Sequence, residues 1–357
     1  MKTSSFTNTE AGFWAAFSIA GTYFGTIVGA GFATGQEVLQ FFGFHGRAGL
    51  YGLMISTVLF VILGRIIMEI GRRVGAKSHA DLIQAVTHPR TGRIIDGLIT
   101  ISLVGSLIVL IAGGGAVLEQ QLGFPALVGS MLLAICAMFT VLGGFMGVVR
   151  AVSGIAPFLI IAVSAISVWA MRTAQISWDW ADASRAVSAS WLFAALLYVS
   201  HNLVLAVSIL APLGTLYDPV TVRWGAFWGG CALGIGGLAL YLCLLTRVPT
   251  AAEYDVPILY IANQLSPRIP FYYSILLLLE IYTTAVTSLY GLAARLTHPG
   301  SPGFGAVTII ATFVAFCTSI LGFSKLMGWI YPAMGYVGLL LIGSMLHWAY
   351  GSRKLSV

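Results

Sequence analysis

The chain has 357 residues, 58% of them apolar and only 8% Asp, Glu, Lys or Arg, with a formal net charge of +6. Soluble domains carry about 25% charged residues, so this balance excludes a soluble enzyme, and the net charge is no argument for nucleic acid as a partner, because the basic residues cluster in certain loops. The class that remains is an all-α polytopic membrane protein.

Runs of about 20 apolar residues place ten spans, over 13–43, 48–71, 93–120, 124–142, 146–171, 189–211, 220–246, 269–294, 304–322 and 326–349. Residues 1–10 form a polar tail, and the apolar run that follows is too long for a cleavable signal peptide. The first span carries GTIVGAGFATGQEVLQ over 25–40. Gly29, Ala30 and Gly31 fall near mid-membrane, and Thr34, Gln36, Glu37 and Gln40 follow. A lipid-facing helix does not carry Gln and Glu this close to the bilayer centre. A broken helix lining a cavity does, because its freed N–H and C=O groups meet a ligand, an ion or water there. The alternative is that the small residues only let another helix pack closely.

Tight connections at 43–47 and 122–125 join the first span to the second and the third to the fourth. The longer 72–93 segment predicts a short surface helix over 78–86 with Ser78 as N-cap. Segment 173–188 carries Trp178, Asp179, Trp180 and Asp182, the composition of an interfacial loop, and 247–269 predicts a short helix over 256–265 among Pro249, Pro257 and Pro267. Cys136, Cys231, Cys243 and Cys317 lie in apolar runs at no metal-like spacing and read as small core residues.

Charge sets the orientation. With the N-terminus in the cytoplasm, 12 of the 18 basic residues fall inside (Lys2, Arg65, Arg72, Arg73, Lys77, Arg90, Arg93, Arg150, Arg223, Arg295, Arg353, Lys354). Only Arg47, Arg172, Arg185, Arg247, Arg268 and Lys325 fall outside. The protein is therefore expected in the cell's inner (cytoplasmic) membrane with both termini on the cytoplasmic side, in keeping with an even number of spans.

A weak repeat emerges. In the sixth span Tyr198, Ser200, His201 and Asn202 interrupt an apolar run, about 171 residues after the glycine break. The other spans pair at offsets of about 172 to 180 residues. Two five-span halves, about 11–172 and 188–350 of a single domain over 1–357, follow. An odd number of spans per half inverts the second half, and paired helix interruptions in inverted halves point to the midplane site of a secondary transporter. The first and sixth spans are then the moving heart.

The stretch GTIVGAGFATGQEVLQFF resembles the YkvI-like amino acid permeases, a branch of the amino acid–polyamine–organocation superfamily. The span count and spacing resemble the LeuT fold of five-plus-five inverted repeats, in which the first and sixth helices are broken. The resemblance covers the whole chain in spacing, while motif similarity is concentrated in the first span and says little about substrate. It implies that Gly29, Ala30 and Gly31 hold a substrate carboxylate. It also implies a sodium site from the carbonyls of Gly25, Val28 and Thr284 with the hydroxyls of Thr287 and Ser288.

The residues themselves allow the same chemistry. N–H groups opening a half-helix stabilise an anion without a cationic side chain. Freed carbonyls around Ser200 and Asn202, with their side chains, would take an ammonium group. Phe32 and Tyr198 serve as aromatic walls or as ordinary packing. His201 could bind substrate, relay a proton or brace a neighbouring helix. Threonine and serine hydroxyls with carbonyls suit a monovalent cation, although such side chains also bond back to their own helix. Glu37 and Glu280, like His201, are the rival proton-coupling candidates.

The expected function is alternating-access transport of a small solute, an amino acid first, coupled to Na⁺ or H⁺. Another small organic anion, a nucleobase-like solute, or a non-transporting sensor on the same scaffold are the alternatives. No HExxH or GxSxG motif argues for an enzyme. No organic cofactor is expected, and the partners are the substrate and the lipid bilayer.

Overall fold

The computed structural model describes residues 6–182, 184–254, 256–320 and 334–348. The helices in chain order are α1 Phe6–Ile27, α2 Ala30–Thr34, α3 Gln36–Phe41, α4 Arg47–Val74, α5 His79–Val86, α6 Pro89–Leu122 and α7 Ala126–Leu142. They continue with α8 Phe145–Thr173, α9 Trp191–Gly214, α10 Pro219–Leu245, α11 Pro257–Leu265, α12 Ile269–Leu296, α13 Pro302–Ser319 and α14 Met334–Trp348. Among the described residues seven helices are long and apolar enough to cross a membrane: α4, α6, α8, α9, α10, α12 and α13. The broken series α1–α3, the shorter α7 and α14 coincide with the other three predicted spans. Positions 321–322 of the ninth predicted span, and 326–333 and 349 of the tenth, lie outside the described residues.

Local chemistry sets the boundaries. Pro89, Pro219, Pro257 and Pro302 each open a helix, where the missing N–H costs no hydrogen bond. Asp218 caps α10 by accepting from the Val220 and Thr221 N–H groups at 2.9 and 3.1 Å. A bond from the Thr221 hydroxyl above all, with those two N–H bonds, holds its carboxyl below the usual carboxylate range. The predicted short helix over 78–86 is present as α5, opened by a capping box in which Asp81 accepts from the Ser78 N–H at 3.0 Å.

Packing follows the expected symmetry of the halves. Helix α1 lies on α10 and α9 lies on α4, so each half's first helix packs on the other half's second. Close approach makes the α4–α9 pair possible: a Cβ at Gly71 would collide with the Ala211 carbonyl, and one at Gly214 with the Met68 carbonyl. Large apolar side chains including Phe13, Ile101, Phe139, Ile161 and Phe313 are exposed on the outside, as a lipid-facing belt requires.

That belt corrects the reading of the cysteines. Cys243 is buried, but Cys136 and Cys317 are exposed and Cys231 is intermediate. In a bilayer the outside of the protein is as apolar as its core, so hydrophobic surroundings in sequence do not signal burial.

Three of the basic residues expected outside gather around the 173–188 loop, away from Arg295. At one end Arg47 pairs with Asp179 at 3.0 Å, Arg185 donates to the Ala252 carbonyl at 2.5 Å, and Arg247 donates to Thr173 Oγ1 at 3.2 Å. The 173–188 loop covers that end, with the Asp182 and Val187 N–H groups donating to the Phe44 and Gln40 carbonyls. At the other end Arg295 on α12 forks onto Asp96 on α6, with Nε 2.6 and 2.8 Å from its two oxygens. The buried His79 on α5 lies 3.2 Å from the same carboxylate.

Candidate functional site: the break in the first span

Helix α1 stops at Ile27, and Val28 and Gly29 belong to neither α1 nor α2. The Gly29 backbone is extended, and its missing Cβ is explained by α12, since a Cβ there would come within 3.2 Å of Thr284 Cγ2 and Oγ1. A second bend follows at Gly35, whose φ of 84° is the left-handed conformation that favours glycine. The first span is therefore interrupted twice. The main break falls at Val28–Gly29, with Ala30 and Gly31 already in the first turn of α2.

Freed carbonyls in this segment find donors on α12. Thr284 Oγ1 donates to the Val28 carbonyl at 2.8 Å, and the Tyr273 hydroxyl donates to the Ala33 carbonyl. Tyr273 and Thr284 are eleven residues apart, which is three helical turns and hence one face of α12. Glu280 stands between them, fully buried. Tyr273 is absent from the residues expected at the site. Its signal was the same-face spacing to Thr284, which reading the hydroxyl cluster alone passes over.

On the other side of α2 the buried Glu37 folds back under Gly31, where any Cβ would collide with its Oε1. Glu37 Oε1 lies 3.8 Å from His201 Nε2 on α9, and Glu37 Oε2 has no hydrogen-bond partner among the described residues. Tyr198 stands against the end of the first span, its ring centroid 5.4 Å from Phe41, 4.9 Å from Phe42 and 5.7 Å from Phe60. Phe32 packs edge-on to Phe24 at 6.2 Å. Both aromatic residues are thus packed and adjoin the broken segment.

The sixth span does not break. Helix α9 runs without interruption from Trp191 to Gly214. Its polar residues turn back onto the backbone instead: Ser200 Oγ donates to the Leu197 carbonyl at 3.0 Å, and Asn202 Nδ2 to the Tyr198 carbonyl at 2.9 Å. Ser200 Oγ also reaches the Gly335 carbonyl on α14 at 2.7 Å. Back-bonding of this kind removes the need for an external partner, so the carbonyls expected to be freed around Ser200 and Asn202 stay in the helix.

The residues expected to form a sodium site divide. Val28 and Thr284 meet, and Gly25 lies buried in the last turn of α1. Thr287 Oγ1 donates to the Thr284 carbonyl at 2.9 Å, while Ser288 Oγ faces Ser106 Oγ on α6 at 3.4 Å. Gly25 is buried, and the other groups, with Glu280 and Phe32, are at most 2% exposed, so the break lies inside the bundle. A groove of about 790 Å³ opens elsewhere, between α1, α8 and α10 among Phe13, Phe17, Trp224 and Trp228. It contains none of the residues at the break and faces the lipid belt.

Comparison with known proteins agrees with this architecture. No protein-family model matches the chain. It is 31% identical over 338 residues to the uncharacterized membrane protein YkvI of Bacillus subtilis, covering 93% of this chain and 95% of that protein. Its fold is similar to that of MhsT in complex with L-phenylalanine, with a TM-score of 0.67 and 15% identity over 92% of this chain and 88% of that one. A Na⁺-coupled sialic acid symporter is also similar, with a TM-score of 0.65 and 14% identity over 94% of this chain and 78% of that one. The chain belongs to the YkvI family of membrane proteins and has the LeuT fold.

Proposed function

We propose that the protein is a secondary active transporter of a small solute, an amino acid first, working by alternating access and coupled to Na⁺ or H⁺. The observation that carries this reading is the buried break at Val28–Gly29, clasped by α12 on one side and facing Glu37 and His201 on the other. The first turn of α2 offers N–H groups to a carboxylate. This helix has only five residues, so the stabilisation comes from local N–H groups rather than from a long dipole. Because α9 is unbroken, the ammonium group falls to Glu37 Oε2, which has no hydrogen-bond partner among the described residues. A zwitterion fits that pair of groups.

The proteins similar in fold differ in ligand by name, one in complex with L-phenylalanine and the other a sialic acid symporter, so fold does not choose the solute. In this reading the N-terminus is cytoplasmic, the Arg295–Asp96 end faces inward, and the loop over 173–188 closes the outer end. A ligand screen by thermal shift on detergent-purified protein, with amino acids and small carboxylates in Na⁺ and in K⁺, tests it. Stabilisation by an amino acid is the expected result. Stabilisation only by small carboxylates would move the solute to another organic anion. A ligand that binds without exchanging across a proteoliposome would make the protein a sensor.

A further inference from the structure

Glu37 on α3 and His201 on α9 are far apart in the chain and meet beside the break, with 3.8 Å between Glu37 Oε1 and His201 Nε2. That is too long for a hydrogen bond and close enough for an ion pair once the imidazole carries a proton. Both side chains are buried, with Glu37 6% and His201 1% exposed. Glu37 has a second face to offer, since its Oε2 has no hydrogen-bond partner among the described residues. Its Oε1 lies against Gly31 in the first turn of α2. A solute whose carboxylate rests on that turn therefore brings its ammonium group to the same side chain.

A buried carboxylate calls for one compensating positive charge. The His201 imidazolium and the solute's ammonium group would each supply it. Both together would leave a net positive charge in low-dielectric surroundings, where like charges repel strongly.

The helices packed on α3 and α9 add no further cation. Tyr23, Tyr241 and Tyr273 donate their hydroxyls to the Phe60, Gly46 and Ala33 carbonyls. Tyr198 stands among Phe41, Phe42 and Phe60, and Cys243 and Glu280 bring no positive charge. His45 is half-buried beyond the end of α3, and His79 lies against Asp96 at the inner end. Every arginine on α4, α6, α10 and α12 is exposed except Arg72 and Arg295, which pair with Glu69 and Asp96.

We propose that Glu37 serves the solute's ammonium group and a protonated His201 in turn, so that solute and proton exchange through one site instead of travelling together. As the ammonium group reaches Glu37 Oε2, the proton on His201 leaves to the water on the open side, one positive charge replacing another. As the solute departs, a proton from water returns to the imidazole, and Glu37 is paired again. Such a site selects a solute with a cationic amino group over a plain carboxylate. Across a membrane kept acidic outside, it runs as proton entry and solute exit. The inference rests on the transport reading, in which Glu37 takes the ammonium group.

The standard amino acids are the probes, offered to the detergent-purified protein. Binding heat of the one that stabilises it most is measured between about pH 5 and 8, in two buffers of different ionisation heat, which counts the protons released. Close to one proton per bound amino acid is expected at the acid end. The Kd should rise there by up to about tenfold for each pH unit lost. His201→Gln should release no proton and bind more tightly than the wild type at the acid end, and Glu37→Gln should lose binding. If Glu37→Gln does not fold, Glu37→Asp serves, with weaker binding and the proton release kept.

Amino acid binding without proton release, or with proton uptake, overturns the exchange and leaves the transport reading standing. So does undiminished release in His201→Gln, which would put the proton on another group. A wild-type protein that binds none of the probes overturns both the exchange and the amino acid as solute.

Discussion

The first and sixth spans occupy matching places in the two halves, yet one is broken and the other is not. Both carry polar residues in mid-span. In α1–α3 glycine removes the side chain at the point of closest approach, and α12 supplies two hydroxyl donors for the carbonyls set free. In α9 the polar residues keep their Cβ atoms, and Ser200 and Asn202 bond to carbonyls three and four residues back. Polar side chains alone do not open a helix in a membrane. Opening one takes the room glycine leaves and a neighbour able to satisfy what comes loose. In the proposed transport cycle function then divides unequally, with the first span as the hinge and α9 as the wall it works against.

The largest effect should come from filling the break. Gly31→Leu drives a branched side chain into the space held by Glu37. It should weaken ligand binding beyond the about 100-fold that a misplaced binding group costs, while the protein still elutes as a folded species in detergent. Full retention of binding would remove the break from the site.

Thr284→Val strips the clasp from the Val28 carbonyl and leaves it unpaired in a buried place. A loss of about 1–3 kcal/mol follows, measurable as a lower denaturation midpoint in detergent. No change would mean that the carbonyl finds another donor and the clasp is incidental.

The wall can be probed through α5, which packs against α6 and α9. Burial holds the His79 imidazole below its usual value of 6.5, a pull that Asp96 opposes. The folded state therefore favours neutral His79, and the unfolded chain takes up the proton first. Stability should be full above pH 6.5 and fall as pH drops below it. His79→Gln should flatten that fall in a melting-temperature profile between pH 5 and 8, and an unchanged profile would assign the fall to other groups.

The smallest effect belongs to α9 itself. Asn202→Ala removes a bond to its own helix and should change stability by about 1 kcal/mol or less. A loss of several kcal/mol would show that α9 is held as delicately as the first span.

Much of the fold was legible because it rests on local chemistry. Apolar runs place the spans, and Ser78 announces α5. The break in the first span was legible for the same reason, since glycine is a local signal. The fate of Ser200 and Asn202 was not. Whether a hydroxyl or amide opens its helix or bonds back to it depends on what the neighbouring helix presents, and that is a property of packing. Ser288 turning to Ser106 on α6 and Tyr273 reaching Ala33 from three turns away were hidden likewise, because each contact joins residues far apart in the chain.

Counterflow in proteoliposomes tests the central claim most directly. Vesicles are loaded with an excess of the amino acid that stabilises the purified protein, and uptake of the labelled compound is followed in Na⁺. The account predicts transient accumulation with the wild-type protein, none with Gly31→Leu, and near-normal exchange with Asn202→Ala. Accumulation by Gly31→Leu equal to the wild type would contradict the break as the site, and a wild-type protein that binds the amino acid without exchanging it would contradict transport.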